Sequence, residues 1–232
     1  TSIYPHGGHS ASFDACLVAE SAGEVVGGAP DLRITEVMSS EALGAAPTAD
    51  WWELTSFESQ SVNLGGWRFN DNTGGLIDAF VIPSVTIQPG ESIIFVEELT
   101  SDEFRTWWGE TNVPAGTQII TYSGPELSFS ASADSVRLWT NGAANDSELY
   151  TQVVFGAADP GVSFGYDPEA QVFGGKSVPG AHGAFVAATG AEAQAGLRTI
   201  GHRLATVREM REHPLLVQLA SEILGCPAFV VR

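Results

Sequence analysis

Between residues 32 and 95, short apolar or alternating segments follow one another closely, separated by turns rich in Gly, Pro and Asn. This regular spacing of short segments and turns constrains the fold more than any other feature of the chain. Residues 32–38 alternate as a half-buried strand does, and residues 51–57 repeat that length with aromatic and β-branched side chains. Further strands are predicted in two segments: 64–69, entered through a glycine turn, and 86–95, a strand pair around Pro89-Gly90. Short strands at this spacing indicate an all-β sandwich or barrel.

The second half of the β pattern contains one interruption, at residues 101–110. Ser101 is a suitable N-cap, and Asp102 and Glu103 would occupy the first turn, so a short inserted helix is predicted. Asn141-Gly142 predicts a hairpin turn. The remaining predicted strands are 118–122, 135–139 and 149–155.

Four ordered motifs carry a resemblance to a known family. They are Ile34–Val37, Asp50–Leu54, Leu64–Asp71 and Pro89-Gly90, and the segments 163–167 and 178–181 look like its closing strand and terminal turn. At these residues the chain resembles the lamin tail domain family, an immunoglobulin-like β-sandwich, although Ser56 stands where the family usually has Asn. The match looks closest to bacterial secreted or envelope members, because no coiled-coil heptads precede it. The resemblance marks as motif or structural residues Glu36, Asp50, Trp51, Glu53, Gly66, Trp67, Asp71, Pro89, Gly90, Pro179 and Gly180.

The predicted architecture is therefore mainly β, with an immunoglobulin-like sandwich over residues 31–186 and a short inserted helix. Residues 1–30 are expected to be an N-terminal extension or linker, and residues 187–195, rich in small side chains, a second linker. Residues 196–232 predict a C-terminal α-helical tail, broken at His213-Pro214. Its first apolar stripe is Leu197, Ile200, Leu204, Val207 and Met210.

That tail is similar to the N-terminal helical region of phytanoyl-CoA dioxygenase-like enzymes at His213–Leu216, Leu224-Gly225 and Ala228–Arg232. The resemblance implies an iron and 2-oxoglutarate-dependent oxygenase. The His-x-Asp/Glu iron motif does not occur in the 232 residues and would lie beyond Arg232. The alternative function is thus the N-terminal accessory region of a truncated oxygenase.

Charge divides the chain into two unequal parts. Residues 1–190 carry 24 acidic and 5 basic residues, a net charge of −19, whereas residues 191–232 carry 4 and 5, a net of +1. The acidic part repels phosphate backbones, so no nucleic-acid footprint is expected. An acidic, lysine-poor, Ser/Thr-rich β-module suits an extracellular or cell-envelope setting, although acidity also serves solubility alone.

Targeting and membrane signals are missing from the printed residues. No apolar run is long enough to span a bilayer, and residues 1–30 lack the pattern of a signal peptide. Because Thr1 is not a start methionine, the chain is expected to be a fragment or a processed form.

The aromatic and acidic motif residues are the main candidates for a site. Trp107 and Trp108, on the inserted helix, are the candidate exposed contact surface, with one of them packing on the sheet. The other tryptophans, Trp51, Trp52, Trp67 and Trp139, could form a sugar-stacking platform. We expect instead that Trp67 and one of the Trp51/Trp52 pair belong to the core. Glu36 and Glu53 could do acid–base work, but a polar niche in which they accept backbone or indole N–H bonds is the preferred interpretation.

Metal and redox candidates are weaker. His6 and His9, with Asp14, could bind a metal or lie in a solvated loop, and Asp71, Asn72 and Asp78 could bind calcium or form Asx turns. No metal or other cofactor is the expectation. Cys16 and Cys226 could pair as a disulfide or remain free thiols. Ser128, Ser130 and Ser132 have no His/Asp partner pattern, so nucleophilic catalysis is not supported.

The sequence thus predicts a non-catalytic binding or adhesion module, or a structural module, of an extracellular or envelope protein. Its partner would be a protein or a cell-surface ligand. The chain as given is not expected to be an enzyme. A further hypothesis is an oligomerising surface-layer component, in which sandwich edges pair between chains.

Overall fold

Aromatic and β-branched segments alternate with glycine turns, and they form the strands of two facing sheets. The computed structural model describes residues 28–40, 49–109, 112–124, 127–167 and 170–177. Within them lie the strands β1 (Leu32–Met38), β2 (Trp51–Ser56), β3 (Val62–Asn63), β4 (Arg68–Asn70), β5 (Phe80–Val81), β6 (Thr86–Ile87), β7 (Ser92–Glu97), β8 (Gln118–Tyr122), β9 (Asp134–Trp139), β10 (Thr151–Phe155), β11 (Phe164–Asp167) and β12 (Val172–Lys176), and the helix α1 (Ser101–Trp108).

The larger sheet has the order β12-β11-β1-β2-β7-β8, and the smaller sheet has the order β10-β9-β4-β5. Strands β3 and β6 form a separate two-stranded pair. All neighbours are antiparallel except β7 and β8, which run parallel because α1 carries the chain from one to the other. This arrangement agrees with the predicted mainly β, immunoglobulin-like sandwich.

The main core lies between the two sheets. Trp52 and Leu54 of β2 pack in this core against Phe69 and Leu138 of the smaller sheet. Trp52 stacks on Phe95 with ring centroids 4.2 Å apart. Burial of such large side chains from both sheets is the main stabilising term of a sandwich.

A β-bulge in β1 sets which side chains face away from this core. The pairing of β1 with β2 shifts register between Ile34 and Glu36. Ile34 and Val37 both enter the main core, so Thr35 and Glu36 lie between them on the opposite side. The bulge therefore places two consecutive polar residues on the outer face of the larger sheet.

Helix α1 is capped by the residue before the predicted one. Thr100, rather than Ser101, is the N-cap, and its hydroxyl accepts from the Glu103 N–H while the Glu103 carboxylate accepts from the Thr100 N–H. Thr100 and Glu103 form a reciprocal capping box, which satisfies two helix-end donors together and outweighs the weaker Ser101 signal. The predicted helix is otherwise confirmed, ending at Trp108 instead of residue 110.

One predicted strand and one predicted turn need correction, and one strand was missed. Leu64–Trp67 form a turn, with Gly66 at φ +82°, so the predicted strand 64–69 is reduced to β4. The Asn141-Gly142 turn closes locally through Ala143 N–H to Thr140 O, and β9 reaches β10 only after residues 140–150. Strand β12 was not predicted, because Gly174 and Gly175 dilute its β pattern.

Several predictions fall outside the described residues. These are residues 1–27 of the predicted extension 1–30, residues 178–186 at the end of the predicted sandwich, the linker 187–195 and the helical tail 196–232. None of the helices in the described part of the chain is long and apolar enough to cross a membrane.

Candidate binding surface

The loop between β4 and β5, residues 71–79, is built around the carboxylate of Asp71. Its Oδ1 atom accepts from the Thr73 N–H at 2.8 Å, from the Gly74 N–H at 3.2 Å and from the Thr73 hydroxyl at 2.9 Å. Asp71 is buried. This is the Asx-turn arrangement that the sequence offered as one of two interpretations.

Neighbouring strands and loops hold the same loop from outside. Arg137 on β9 donates from Nε to the Asp71 carbonyl at 2.6 Å, and its Nη2 donates to the Gly74 carbonyl. The Leu76 N–H donates to Asp146 Oδ1 at 2.6 Å. A Cβ atom on Gly74 would overlap the Asn70 side chain, so the loop packs too closely to accept one there. The loop is consequently fixed by side chains from three directions.

This fixed loop exposes a large aliphatic side chain. Leu76 and Ala79 turn inward and pack with Trp139, whereas Ile77 is 90% exposed. Asp78 is also exposed, and Val81 on β5 is 53% exposed. We call Ile77, Asp78 and Val81 the Ile77 surface. Among the described strands β5, which carries Val81, is an edge of the smaller sheet.

The polar atoms of this loop bond to groups of the protein itself, as the Asx-turn interpretation requires. The Asp71 carboxylate accepts backbone and hydroxyl donors, and the Asn72 N–H donates to Asp134 Oδ1 at 3.1 Å. Within the described ranges no three His, Cys, Asp or Glu side chains are grouped to hold a metal ion. His6, His9 and Asp14, like Cys16 and Cys226, lie outside those ranges.

Glu36 and Glu53 are directly opposed in β1 and β2 and lie in a buried polar niche. Glu36 Oε1 accepts from the Ser163 hydroxyl at 2.6 Å, and Glu53 Oε1 accepts from the Thr35 hydroxyl at 2.5 Å. The niche was predicted, but its donors were not. The indole N–H groups of Trp51 and Trp52 have no acceptor among the described residues, and hydroxyl donors take the role foreseen for them.

The third motif carboxylate, Asp50, is also engaged inside the fold. Its Oδ2 atom accepts from the Phe129 N–H at 2.5 Å and from the Ser128 hydroxyl at 3.3 Å. Asp50 thereby ties the start of β2 to the segment before β9. Charge-assisted bonds of this kind position backbone.

All four sandwich tryptophans are buried, so the stacking-platform alternative has no exposed ring to use. Trp51, Trp52 and Trp139 are fully covered and Trp67 is 5% exposed. The expectation of Trp67 and one member of the Trp51/Trp52 pair in the core is confirmed and extended to both members. Gly66 and Gly90 occupy turns at positive φ, Gly90 following Pro89 as predicted. Pro179 and Gly180 lie outside the described residues.

The prediction that Trp107 and Trp108 form an exposed contact surface is wrong. Trp107 is 3% exposed and Trp108 is fully buried. Phe104, Trp107 and Trp108 share one helix face through their i, i+3, i+4 spacing, and that face packs on the sheet. Trp108 meets Trp51 edge-on with ring centroids 5.7 Å apart. The aromatic face of α1 therefore belongs to a second apolar cluster, between the helix and the larger sheet, which we call the outer core.

Tyr150 is a structural residue that the sequence did not indicate. Its hydroxyl accepts from the Leu32 N–H at 2.8 Å and donates to the Pro30 carbonyl. Its ring meets Trp67 edge-on at 4.9 Å. Partial burial raises the pKa of the Tyr150 phenol above its usual value. No local pattern could reveal this contact, because its partners lie at the other end of the sandwich sequence.

A comparison with curated proteins gives no significant match. The family model described as Lamin Tail Domain matches residues 27–159, more than half of the chain. That range contains the bulged strand β1, the carboxylates Asp50 and Asp71, and the whole Ile77 surface. From the ordered motifs, the sandwich and this match, we conclude that the chain belongs to the lamin tail domain family.

Proposed function

We propose that this immunoglobulin-like domain is a non-catalytic binding or adhesion module of a bacterial secreted or cell-envelope protein. It binds a protein or a cell-surface ligand. Membership of the lamin tail domain family supports a structural or binding module. The strong excess of acidic over basic residues supports the extracellular or envelope setting and argues against a nucleic-acid partner.

The observation that carries this proposal is the Ile77 surface. An exposed apolar residue on its own is ordinary. Here, however, the loop behind it is fixed by Asp71, Arg137 and Asp146, so little conformational entropy is lost when a partner covers Ile77. Rigid presentation of an aliphatic anchor is what a recognition loop needs.

The chemistry of the buried carboxylates supports the same conclusion. Asp50 and Asp71 accept backbone N–H groups, and Glu36 and Glu53 accept hydroxyl groups inside the sheet. These four carboxylates form hydrogen bonds inside the domain and so stabilise its fold. Exposed loops and strand edges would then contact the partner.

The experiment compares binding of the fluorescently labelled protein to intact bacterial cells and to a displayed library of extracellular protein fragments. We expect saturable binding, weakened about tenfold or more in Ile77→Lys, since central apolar anchors carry about 2 kcal/mol or more. The matched control is Val154→Lys, because Val154 is also an exposed aliphatic residue, 66% exposed, on β10 of the same sheet. Equal loss in both variants, or no saturable binding at all, would contradict the proposal.

A structural role through edge pairing is a second candidate. Val172 on β12 is 58% exposed, and β12 is an edge of the larger sheet among the described strands. Exposed aliphatic edges favour pairing between copies. Sedimentation that finds only monomer at high protein concentration would count against this role.

The oxygenase alternative depends on residues 196–232, which lie outside both the family match and the described residues. It requires an H-x-D motif and a distant His encoded after Arg232. Reading the parent gene in frame beyond that codon tests it directly.

A further inference from the structure

A basic side chain lies next to the Ile77 surface, on the outer face of the smaller sheet. Phe69 of β4 enters the main core, so the preceding residue, Arg68, faces the opposite side of that sheet. Its cross-strand neighbours are Val81 on β5 and Trp139 on β9. Arg68 is half-buried, and Val81 beside it is 53% exposed. The Ile77 surface therefore continues into a positively charged side chain.

Arg68 differs from the other basic side chains of the described part of the chain. Those four all have partners within the domain, since two form ion pairs with carboxylates and two donate to backbone carbonyls: Arg33, Lys176, Arg105 and Arg137. The Arg68 guanidinium forms neither a hydrogen bond nor an ion pair with any described residue. In a chain of net charge −18, it is thus a cation that can receive a carboxylate from outside.

A charge of the opposite sign follows Ile77 in the chain. The Ala79 N–H donates to the Leu76 carbonyl at 3.4 Å, so Ile77 and Asp78 occupy the corner of a turn. Asp78 is exposed, and among the described residues its carboxylate has no hydrogen-bond or ion-pair partner either. Arg68 and Asp78 consequently do not neutralise each other. The surface combines exposed aliphatic side chains with one cation and one anion.

One buried side chain supports both the turn and the strand that carry these groups. Leu76 and Ala79, at the two ends of the turn, pack with Trp139. Trp139 is also the cross-strand neighbour of Arg68. The positions of the turn and of β4 relative to each other are therefore fixed before a partner binds, and little conformational entropy is lost on binding.

We propose that the Ile77 surface and Arg68 together bind a protein segment that places an acidic side chain against Arg68 and an aliphatic or aromatic side chain against Ile77 and Val81. Such recognition rests on the proposed function, since it gives the ligand of the binding module a defined chemistry. A basic residue of the segment would face Asp78. The two opposite charges set the orientation of the segment, because a reversed segment would bring like charges together.

A protein segment fits this surface better than a carbohydrate or a nucleic acid does. Sugar recognition uses exposed aromatic rings, and the tryptophans of the described sandwich are buried: Trp51, Trp52, Trp67 and Trp139. A nucleic acid would bring a row of phosphates to a strongly acidic domain. A carboxylate next to an apolar side chain is, in contrast, ordinary protein chemistry.

Peptide selection on the full chain tests the proposed partner. Phage that display random short peptides are selected on the wild-type protein, and the recovered peptides are synthesised and titrated by fluorescence anisotropy. We expect them to share an acidic residue close to an aliphatic or aromatic one. Arg68→Gln should weaken their binding about tenfold, since a charge pair covered in the complex is lost. Lys176→Gln is the matched control, because it removes one positive charge from the other sheet and should bind as the wild type does.

Charge reversal separates direct contact from a structural role of Arg68. Arg68→Glu should weaken binding more than Arg68→Gln, and exchanging the acidic residue of the peptide for lysine should restore most of the affinity. A structural defect would not be rescued by a change in the peptide. If the Arg68 variants fail to fold, Asp78→Asn at the exposed turn gives the second measurement. It should weaken binding of peptides with a basic residue, and not of peptides in which that residue is neutral.

The outcomes distinguish this partner chemistry from the binding module itself. Peptides that need Ile77 but bind Arg68→Gln and Asp78→Asn as well as the wild type overturn the partner chemistry and leave the module standing. The same conclusion follows if the selection returns no peptide while the labelled protein still binds cells. Failure of both experiments overturns the module as well. Self-association of the protein that both Ile77→Lys and Arg68→Gln abolish would identify a second copy as the occupant and overturn the binding of a foreign segment.

Discussion

The side chain of Tyr150 connects two segments of the sandwich that lie far apart in the sequence. Its hydroxyl bonds the backbone of Leu32 and Pro30, at the start of β1, from the segment just before β10. Burial favours the neutral phenol and raises its pKa in the folded protein, while the accepted Leu32 N–H lowers it by less. A group whose folded pKa is raised contributes stability that is complete below its unfolded pKa.

We therefore expect an alkaline loss of stability that depends on Tyr150. As the pH rises from the ordinary phenol pKa of about 10 through the raised folded pKa, the wild-type chain loses this contribution. Tyr150→Phe should be about 1 kcal/mol less stable at neutral pH, because two backbone groups lose a partner. The difference between the two proteins should shrink across the alkaline window. Urea unfolding measured from neutral to alkaline pH gives both curves, and parallel curves would refute the assignment.

Residue-level prediction from the sequence succeeded where partners are close along the chain. The Asp71 turn could be predicted because its donors, Thr73 and Gly74, follow within three residues. The niche of Glu36 and Glu53 was anticipated, but its hydroxyl donor Ser163 lies far along the chain from Glu36. Tyr150 was missed for the same reason. Side-chain contacts between distant segments leave no periodic signal in the sequence.

Among the elements, α1 depends on its N-terminal capping box. Thr100→Ala removes the hydroxyl that accepts from the Glu103 N–H, and should lower the midpoint of thermal unfolding by about 2–4 °C. Thr100→Ser is the matched control, since it keeps the hydroxyl and should stay near wild type. Differential scanning calorimetry measures all three proteins. An alanine variant that melts with the wild type would show that the cap contributes nothing.

The same helix explains why its tryptophans were misjudged. The pattern of residues 101–108 gives an amphipathic helix, but not which surface receives its apolar face. The face of Phe104, Trp107 and Trp108 became core because Trp51, Ile94 and Val96 present a complementary apolar patch on the outer face of the larger sheet. Strand β2 thus packs against apolar side chains on both of its faces. An alternating sequence pattern predicts only one buried face, so it could not reveal the second.

At the scale of the whole molecule, fold class was predictable and strand order was not. Strand content, turns and ordered motifs indicated a sandwich. The order β12-β11-β1-β2-β7-β8, however, pairs β1 with β11 across most of the domain, and the edge strand β12 is glycine-rich and weakly patterned. Long-range pairing is decided by which buried faces fit together.

That topology predicts a graded resistance to opening. Strands β2 and β7 are central, paired on both sides and buried almost throughout, whereas β12 and β10 are edges among the described strands and carry exposed valines. Hydrogen–deuterium exchange should therefore be slowest in β2 and β7 and fastest in β12 and β10. Ile94→Ala should speed exchange first in α1, because Ile94 belongs to the outer core under that helix. Phe69→Ala is the comparison from the main core and should loosen both sheets together. Uniform acceleration by both variants would mean that the two cores open as a single cooperative unit.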